Sequence, residues 1–261
     1  MKIAAGCDVG SLTAKAVIMK DRKIIASTIV RSRARPQQSA DNAMNDALSQ
    51  CGLKQSDIQI CVGTGYGRNQ ISFVDHVMSE ISCHAKGAKW LMPSVKTIID
   101  IGGQDCKIMK IDKEANVQNF LTNDKCASGT GRFLEVMSQV LNIDISELGN
   151  MSQKSHSPIT FASTCTVWAQ ADVIKHINDG VLPEDIGAGI NAAMANRVSI
   201  LVRSIKPEKD IAMTGGVSKN QGVLSVMEKI LGLRIKKIRK ADPQLAGAIG
   251  AAIFAHERTT N

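Results

Sequence analysis

Two stretches of the sequence, DVGSLTAK at residues 8–15 and DIGGQDCK at residues 100–107, share one pattern. The shared order is aspartate, β-branched residue, glycine, small residue, three variable residues and lysine. Residue 100 of the second stretch therefore corresponds to residue 8 of the first. Both stretches follow an apolar run and precede another, as strand–turn–strand units do. A single Asp-x-Gly turn is weak evidence, because such turns are common in hairpins. Two copies in equivalent settings predict an internal duplication, and therefore two similarly built halves.

Strand-like and helical patterns alternate around these two turns, which predicts an α/β protein. We predict strands at residues 3–7, 14–19, 23–30, 58–62, 96–101, 107–111, 117–121 and 211–214, and helices at residues 36–51, 79–92, 131–141, 165–178, 183–205, 219–231 and 245–256.

The composition excludes several classes of protein. The 261 residues are 44% hydrophobic and only 3% aromatic, so the core must be built from aliphatic residues and the eleven methionines. No apolar run reaches the length of a transmembrane helix, and the first residues do not resemble a signal peptide. The seven cysteines are an odd number, which favours reduced thiols over a disulfide framework. We therefore expect a cytoplasmic protein with no membrane partner.

The net charge of +8 includes one local basic cluster, RIKKIRK at residues 234–240. Aromatic residues that could stack on bases are scarce, and no zinc-finger or helix-turn-helix pattern is present, so we do not expect nucleic-acid binding. An acidic protein partner, an anionic small ligand and a merely solvated basic face all remain open.

The first turn carries groups suited to phosphate and magnesium. Gly10 lets backbone N–H groups approach an anion, Ser11 and Thr13 add hydroxyl donors, and Lys15 adds positive charge. Asp8 ends a predicted buried strand, where a carboxylate is costly unless it is paired or bound to a metal. A magnesium ion would satisfy that carboxylate and would also hold phosphate oxygens.

The same reasoning applies to Asp100 and the glycine pair 102–103 of the second turn. Gln104 is neutral and suited to orienting a water on a terminal phosphate. A third turn, MTGGV at residues 213–217, follows a late strand and opens a helix, which suits the sugar or α-phosphate of a nucleotide. No P-loop is present, and the glycines of residues 63–67 lack the spacing of a dinucleotide fingerprint.

Two cysteines stand near predicted helix starts, Cys126 within CASGTGR and Cys165 within STCTV. The helix dipole at such positions lowers the pKa of a thiol and favours an anionic ligand. Zinc and iron–sulfur sites normally need four ligands, which a twofold dimer of such pairs would supply. Equally, both could be ordinary helix-start cysteines that act as small hydrophobes.

Cys7, Cys61 and Cys106 lie on apolar strand patterns and fit core positions, and Cys51 fits a helix end. Cys83 and His84 are adjacent on a predicted helix and so point in different directions, which disfavours a shared metal, and no histidine shows metal-ligand spacing.

The three glycine turns resemble the phosphate-1, phosphate-2 and adenosine motifs of the actin-like (ribonuclease H-like) ATPase fold. AGAIGA at residues 246–251 resembles the hinge helix of that fold. The resemblance implies two duplicated subdomains around a nucleotide cleft. The first would be residues 1–92, completed by the C-terminal helix 243–261. The second would be residues 93–242, with the two helix-start cysteines.

A closer resemblance covers almost the whole chain. The segments CASGTGRFLE, STCTV, DIGGQDCK, GYGRN, SEISCHA and MTGGV are similar to those of the activator (component A) family of 2-hydroxyacyl-CoA dehydratases, which includes ATPase subunits of benzoyl-CoA reductase. The resemblance implies a homodimer, or a heterodimer with a paralogous subunit, that shares one [4Fe-4S] cluster. It also implies that ATP hydrolysis drives a low-potential electron into an acyl-CoA dehydratase or aromatic acyl-CoA reductase. Ferredoxin or flavodoxin would be the electron donor.

The resemblance also implies roles for individual residues. Asp8, Asp100 and Gln104 would be catalytic, and Cys126 and Cys165 would bind the cluster. The residues expected to bind ATP or ADP with Mg²⁺ are Ser11, Leu12, Thr13, Ala14, Lys15, Gly102, Gly103, Gly215, Gly216 and Gln244. This chain departs from the most common sequence of the family at two positions. Leu12 replaces a small or hydroxyl residue, and Ser128 replaces an alanine and could cap a helix.

Two rival functions remain open on the same fold. A small-molecule kinase would need a catalytic aspartate, for which Asp105 is the candidate, but it would leave the two helix-start cysteines unexplained. A non-enzymatic actin-like scaffold or regulator would need a polymerising surface, which a sequence does not show.

Overall fold

A computed structural model describes residues 2–163 and 165–259. In chain order its strands are β1 (Ile3–Val9), β2 (Thr13–Lys20), β3 (Lys23–Arg31), β4 (Ile60–Thr64), β5 (His76–Val77), β6 (Thr97–Ile101), β7 (Cys106–Ile111), β8 (Val117–Asn123), β9 (Ile211–Thr214) and β10 (Ile235–Lys236). Its helices are α1 (Pro36–Cys51), α2 (Glu80–Leu91), α3 (Gly131–Val140), α4 (Ile145–Lys154), α5 (Thr166–Asn178), α6 (Pro183–Ser204), α7 (Gln221–Leu231) and α8 (Ala246–Arg258).

The chain divides into two compact units. Unit 1 comprises Met1–Ile98, Ile111–Gln118 and Ile238–Asn261, and unit 2 comprises Ile99–Lys110 and Asn119–Lys237. Compared with the predicted subdomain boundaries, unit 1 also takes in residues 93–98, 111–118 and 238–242. The last two residues of the predicted C-terminal helix lie outside the described residues.

The sheet of unit 1 has the strand order β3-β2-β1-β4-β5. Strands β1, β2 and β3 form an antiparallel meander, whereas β4 and β5 add to it in parallel. The β1–β2 register places Asp8 opposite Lys15. Because directly opposed residues of an antiparallel pair point to the same face, the register alone brings this acid and this base together.

Helix α8 packs unusually closely in unit 1, because it consists largely of small buried residues. A Cβ on Gly250 would overlap the carbonyl group of Cys83 in α2, and a Cβ on Gly6 of β1 would overlap the backbone of α8. Backbone-to-backbone packing of this kind leaves no room for larger side chains. Helix α8 is therefore fixed against both β1 and α2.

The second sheet has the order β10-β9-β6-β7-β8. The core of unit 2 packs against it, and its fully buried side chains are mostly Ile, Val, Leu and Met, with Phe133 as the large aromatic exception. This confirms the aliphatic core that the composition predicts. None of the helices within the described ranges combines the length and the apolar character needed to cross a membrane.

The predicted strands and helices are present, with small shifts at their ends. Helix α7 begins at Gln221 and not at residue 219, because residues 216–219 form a 3-10 turn and the Asn220 side chain caps the helix, accepting from the N–H of Val223 at 2.9 Å. Helix α4 and the short strands β5 and β10 were not predicted.

Helix α4 was not predicted because it is only ten residues long, buries only two of them and has a glycine in its interior, which lowers helix propensity. Its start does carry a local signal. Asp144 is the N-cap and accepts from the N–H of Ser146 at 2.8 Å, and a glutamate stands three residues later at position 147. That spacing is a capping-box signature, and it could have predicted the helix.

Candidate functional site

The first acidic turn lies between β1 and β2 in unit 1. Asp8 is 1% exposed, and its Oδ2 atom accepts a hydrogen bond from Lys15 Nζ at 3.1 Å. The turn is closed by the N–H of Gly10 donating to the carbonyl of Thr13 at 3.1 Å. The Gln244 side chain reaches the hydroxyl of Thr13 at 3.4 Å. Unit 1 thus brings together Asp8, the predicted nucleotide-binding residues 11–15 and Gln244.

The carboxylate of Asp8 has room for a further partner. Among the described residues, its Oδ1 atom has no hydrogen-bond partner although it is buried. A Cβ on Gly65 would come within 2.5 Å of Oδ1, and a Cβ on Gly247 within 2.7 Å of Oδ2. An orphaned buried carboxylate oxygen is costly, and a divalent cation or its water would satisfy it. The surroundings of Asp8 therefore fit a magnesium ion.

His84 also lies near this turn, although its position in the sequence does not predict this. It is 4% exposed, and the Cβ that Gly247 lacks would lie 2.8 Å from its Nε2 and 2.7 Å from Asp8 Oδ2. The two side chains therefore face the same small gap. The SEISCHA segment carries a family resemblance, but it gives no signal for this placement, because helix α2 and strand β1 are distant in the chain.

The second acidic turn lies between β6 and β7 and has the same backbone closure: Gly102 donates from its N–H to the carbonyl of Asp105 at 3.0 Å. The predicted duplication is therefore confirmed at the level of these two turns. Asp100 is 1% exposed and accepts a hydrogen bond from the Thr214 hydroxyl at 2.8 Å. Gln104 is exposed at the tip of the turn.

Asp105, which the kinase hypothesis would need as a catalytic base, is 4% exposed and forms a buried ion pair with Lys107. A carboxylate engaged in this way is poorly placed to deprotonate an alcohol substrate.

The third glycine turn adjoins the second within unit 2. Gly215 has a positive φ of 80°, and a Cβ there would overlap the carbonyl group of Ile101. The backbone of residues 214–215 thus lies directly against the end of β6, beside Asp100. Gly216 is exposed and begins the 3-10 turn before α7. Unit 2 brings together Asp100, Gly102, Gly103 and Gly215.

Cys126 is half-buried and immediately precedes a 3-10 turn, residues 127–129, that leads into α3. A hydrogen bond with the Ser128 hydroxyl, 3.0 Å from Sγ, is the largest influence holding the pKa of the Cys126 thiol below its ordinary value, and the positive charge of Arg197 acts in the same direction. The suggested capping role of Ser128 is wrong, because Thr130 is the N-cap of α3 and Ser128 contacts the cysteine.

Cys165 is exposed and is the N-cap residue of α5. Both cysteines therefore stand at helix starts, as predicted. Within the STCTV segment, Thr164 lies outside the described residues. The N–H of Cys165 donates to the Ser163 hydroxyl at 3.2 Å.

Four other cysteines are buried and have raised pKa values, chiefly because burial disfavours the charged thiolate. Burial raises the pKa of Cys61 and that of Cys83 to about 12. It also raises the pKa values of Cys7 and Cys106 above the ordinary value. These thiols are inert core residues, in agreement with the prediction for Cys7, Cys61 and Cys106.

A direct backbone connection joins the second turn to the Cys126 segment. The N–H groups of Gly131 and Arg132, at the start of α3, donate to the carbonyls of Gly102 and Gly103, each at 2.8 Å. The first turn of a helix has free N–H groups, and here the glycine turn satisfies two of them. A displacement of residues 102–103 would therefore move the start of α3.

The basic cluster at residues 234–240 is partly engaged in the fold. Ile235 and Ile238 are buried, and Lys236 forms an ion pair with Asp210 at 2.6 Å in unit 2. In unit 1, Lys240 Nζ lies 3.4 Å from the centre of the Trp90 ring, and burial lowers its pKa. The exposed charges left for an external partner are chiefly Arg234, Lys237 and Arg239.

Comparison with known proteins places the chain among ATPases. It is 42% identical to the 2-hydroxyisocaproyl-CoA dehydratase activator of Clostridioides difficile over 252 residues, which cover 97% of this chain and 94% of that protein. It is 40% identical to the (R)-2-hydroxyglutaryl-CoA dehydratase activating ATPase of Acidaminococcus fermentans over 254 residues, covering 97% of this chain and 96% of that one.

Solved structures agree with this. The activator of the 2-hydroxyisocaproyl-CoA dehydratase from Clostridium difficile with bound ADPNP superposes with a TM-score of 0.94 at 41% identity, covering 99% of this chain and 96% of that chain. A ROK family glucokinase from Streptomyces griseus superposes at 0.58 and 13% identity, covering 98% and 99%, which shows the fold alone.

The predicted actin-like ATPase fold is therefore confirmed. The model of the BadF/BadG/BcrA/BcrD ATPase family matches residues 5–255, and the chain belongs to this family of ATPases.

Proposed function

We propose that this protein is an ATP-dependent electron-transfer activator. It would pass a low-potential electron through a [4Fe-4S] cluster to a 2-hydroxyacyl-CoA dehydratase or a related aromatic acyl-CoA reductase. Each of two subunits would contribute Cys126 and Cys165 to the cluster. The acceptor class is supported by the relatives, which are named as activators of acyl-CoA dehydratases.

The observation that carries the proposal is the pair of backbone hydrogen bonds between the second turn and α3. Gly102 and Gly103 are predicted to bind the phosphates of ATP, and their carbonyls hold the start of the helix that follows Cys126. A change at the nucleotide phosphates would reach the cysteine through two hydrogen bonds. Coupling of hydrolysis to electron transfer needs a physical link between the nucleotide site and the cluster, and these two hydrogen bonds between the glycine turn and the helix after Cys126 would supply it.

In the nucleotide site, Lys15 and the N–H groups of the first turn would bind phosphate oxygens, and the orphaned oxygen of Asp8 would accept the magnesium ion or its water. When bound, magnesium would neutralise the charge that develops on the phosphates. Asp100, held by Thr214, would take the equivalent position in the second turn. The exposed amide of Gln104 would orient the attacking water.

The cysteine environments fit an iron–sulfur cluster. Thiolates are the ligands of such clusters, and the surroundings of Cys126 favour its thiolate form. A cluster needs four cysteines, so two per chain require a second subunit. The surface beside Cys165 supports such an interface, because α5 exposes Val167, Trp168, Ile174 and Ile177.

Purification without oxygen, followed by iron analysis and by visible and EPR spectra with and without ATP, tests the proposal. We expect a brown protein with four iron atoms per dimer and a spectrum that responds to ATP. Cys126→Ser should abolish the cluster and keep nucleotide binding, whereas Cys51→Ser, at a half-buried position at the end of α1, should keep both. A colourless protein without iron would overturn the proposal.

The electron donor is proposed to be an acidic ferredoxin or flavodoxin that docks on the basic cluster. Lys237→Gln combined with Arg239→Gln removes two exposed charges and leaves the structural contacts of Lys236 and Lys240 intact. We expect the variant to be reduced several-fold more slowly at low ionic strength, with the difference vanishing at high salt. Stopped-flow reduction measures this, and equal rates at low salt would exclude the docking surface.

A further inference from the structure

The sulfur of Cys126 lies among hydrogen-bond donors from its own segment. Ser128 Oγ is 3.0 Å from Sγ and the serine is 2% exposed, so its hydroxyl has little access to water. A cysteine sulfur that is ionised or bound to a metal has no proton to give, and the serine must then be the donor. The loop is fixed by Asn123, whose side-chain amide donates to the Cys126 carbonyl at 2.9 Å.

A cation approaches the same sulfur from another element. Arg197 belongs to α6, and a Cβ on Gly129 would lie 3.3 Å from its Cγ, so the arginine stem runs along the turn after Cys126. The positive charge of Arg197 favours negative charge on the Cys126 sulfur. Glycine at position 129 keeps this approach open.

We propose that Ser128 and Arg197 are positioning residues that raise the reduction potential of the cluster held by Cys126. This inference rests on the proposed function. An electron entering an iron–sulfur cluster adds negative charge that is shared by the cysteine sulfurs. Donors and positive charge next to those sulfurs stabilise the reduced state, and this raises the potential.

The two ligands of one chain would then contribute differently. Cys165 is exposed at the N-terminus of α5, whereas Cys126 lies near Ser128 of its own turn and Arg197 of α6. The potential would depend on the distance between α6 and the Cys126 turn. A conformational change that withdrew Arg197 would make the cluster a stronger reductant, without any change of ligand.

An EPR-monitored redox titration of the anaerobically purified protein tests this inference. Ser128→Ala and Arg197→Gln should each shift the potential of the cluster to more negative values, whereas Arg197→Lys should recover part of the shift by restoring the charge. The Arg197→Gln shift should be larger at low than at high ionic strength. Pulsed EPR in deuterated buffer should show an exchangeable deuteron near the cluster that Ser128→Ala removes.

Ser199→Ala is the matched control, since this buried hydroxyl of α6 has no hydrogen-bond partner among the described residues. Its cluster should keep the wild-type potential. If the wild-type protein holds a cluster and the Ser128→Ala and Arg197→Gln variants both show its wild-type potential, the inference is overturned and the proposed function stands. A wild-type protein that binds no iron would overturn both. If one of the two variants fails to assemble its cluster, the potential measured in the other variant tests the inference.

Discussion

The two acidic turns share one backbone design but stabilise their aspartates differently. Both close with a hydrogen bond between the third and sixth residues of the pattern, at 3.1 Å in the first and 3.0 Å in the second. In the first turn, Lys15 bonds to Asp8 across the hairpin. In the second, the equivalent lysine, Lys107, forms an ion pair with Asp105, and Asp100 accepts from Thr214.

The difference originates at one pair of equivalent positions. Position 13 is a threonine in the first turn, and its counterpart, position 105, is an aspartate. Thr13 contacts Gln244, whereas Asp105 is a second buried carboxylate beside Asp100 that needs a cation. Within the described residues, the first turn keeps an orphaned carboxylate oxygen on Asp8, and under the proposed function this asymmetry would place the metal contact at the first turn.

The largest expected effect is on ATP hydrolysis. Asp8→Asn and Asp100→Asn should each lower the rate of phosphate release on the order of 100-fold or more, because under the proposed function each would remove a charge placed at the reacting phosphates. The asymmetry predicts that only Asp8→Asn also weakens the dependence on magnesium concentration. Asp179→Asn, at an exposed position after α5, is the control and should hydrolyse ATP normally. Equal magnesium dependence in both variants would contradict the asymmetry.

Substitutions at the equivalent positions 105 and 13 should differ in how much they lower the free energy of unfolding. Asp105→Ala removes the carboxylate from the buried Lys107 and should lower the free energy of unfolding by about 3 kcal/mol, since breaking a buried ion pair leaves its charge poorly compensated. Thr13→Val removes only a long hydrogen bond and should cost less than about 1 kcal/mol. Urea denaturation of the two variants measures both values. Similar losses would mean that the two turns tolerate change equally.

The contact between Thr214 and Asp100 should have an intermediate effect. Thr214→Val keeps the shape of the side chain and removes the hydroxyl donor from a buried carboxylate, at a cost of about 1.5–3 kcal/mol. Thr214→Ser restores the donor and should recover most of that loss. An unchanged midpoint of denaturation in Thr214→Val would show that Asp100 does not depend on this hydroxyl.

The smallest expected effect concerns the thiol of Cys126, which reports on the second turn through α3. Its pKa lies below the ordinary value, so its alkylation in metal-free protein should reach half-maximal rate at lower pH than in urea-unfolded protein. Thr214→Val should change the alkylation rate of Cys126 at neutral pH by a few-fold, whereas Thr13→Val should not. Peptide mass spectrometry follows the reaction, and equal rates in the two variants would argue against the connection.

Local patterns predicted much of this site, since strand–turn–strand periodicity, glycine turns and helix starts are encoded within a few residues. The positions of Asp8, Lys15, Cys126 and Cys165 at their elements follow from such patterns. The contacts of His84, Arg197 and Thr214 could not be predicted, because each joins segments that are distant in the chain. Ser128 differs from these three residues because its contact is local: its hydroxyl contacts Cys126 two residues earlier and does not cap α3.

The sequence by itself determined the duplicated acidic turns, the alternation of strands and helices, and the two cysteines at helix starts. These features depend on the spacing of residues along the backbone. The tertiary structure alone decided which carboxylate keeps an unpartnered oxygen, which sulfur receives donors, and which helix the second glycine turn holds. Those properties depend on packing between distant segments, where a missing Cβ or a single hydroxyl determines whether a buried charge is satisfied.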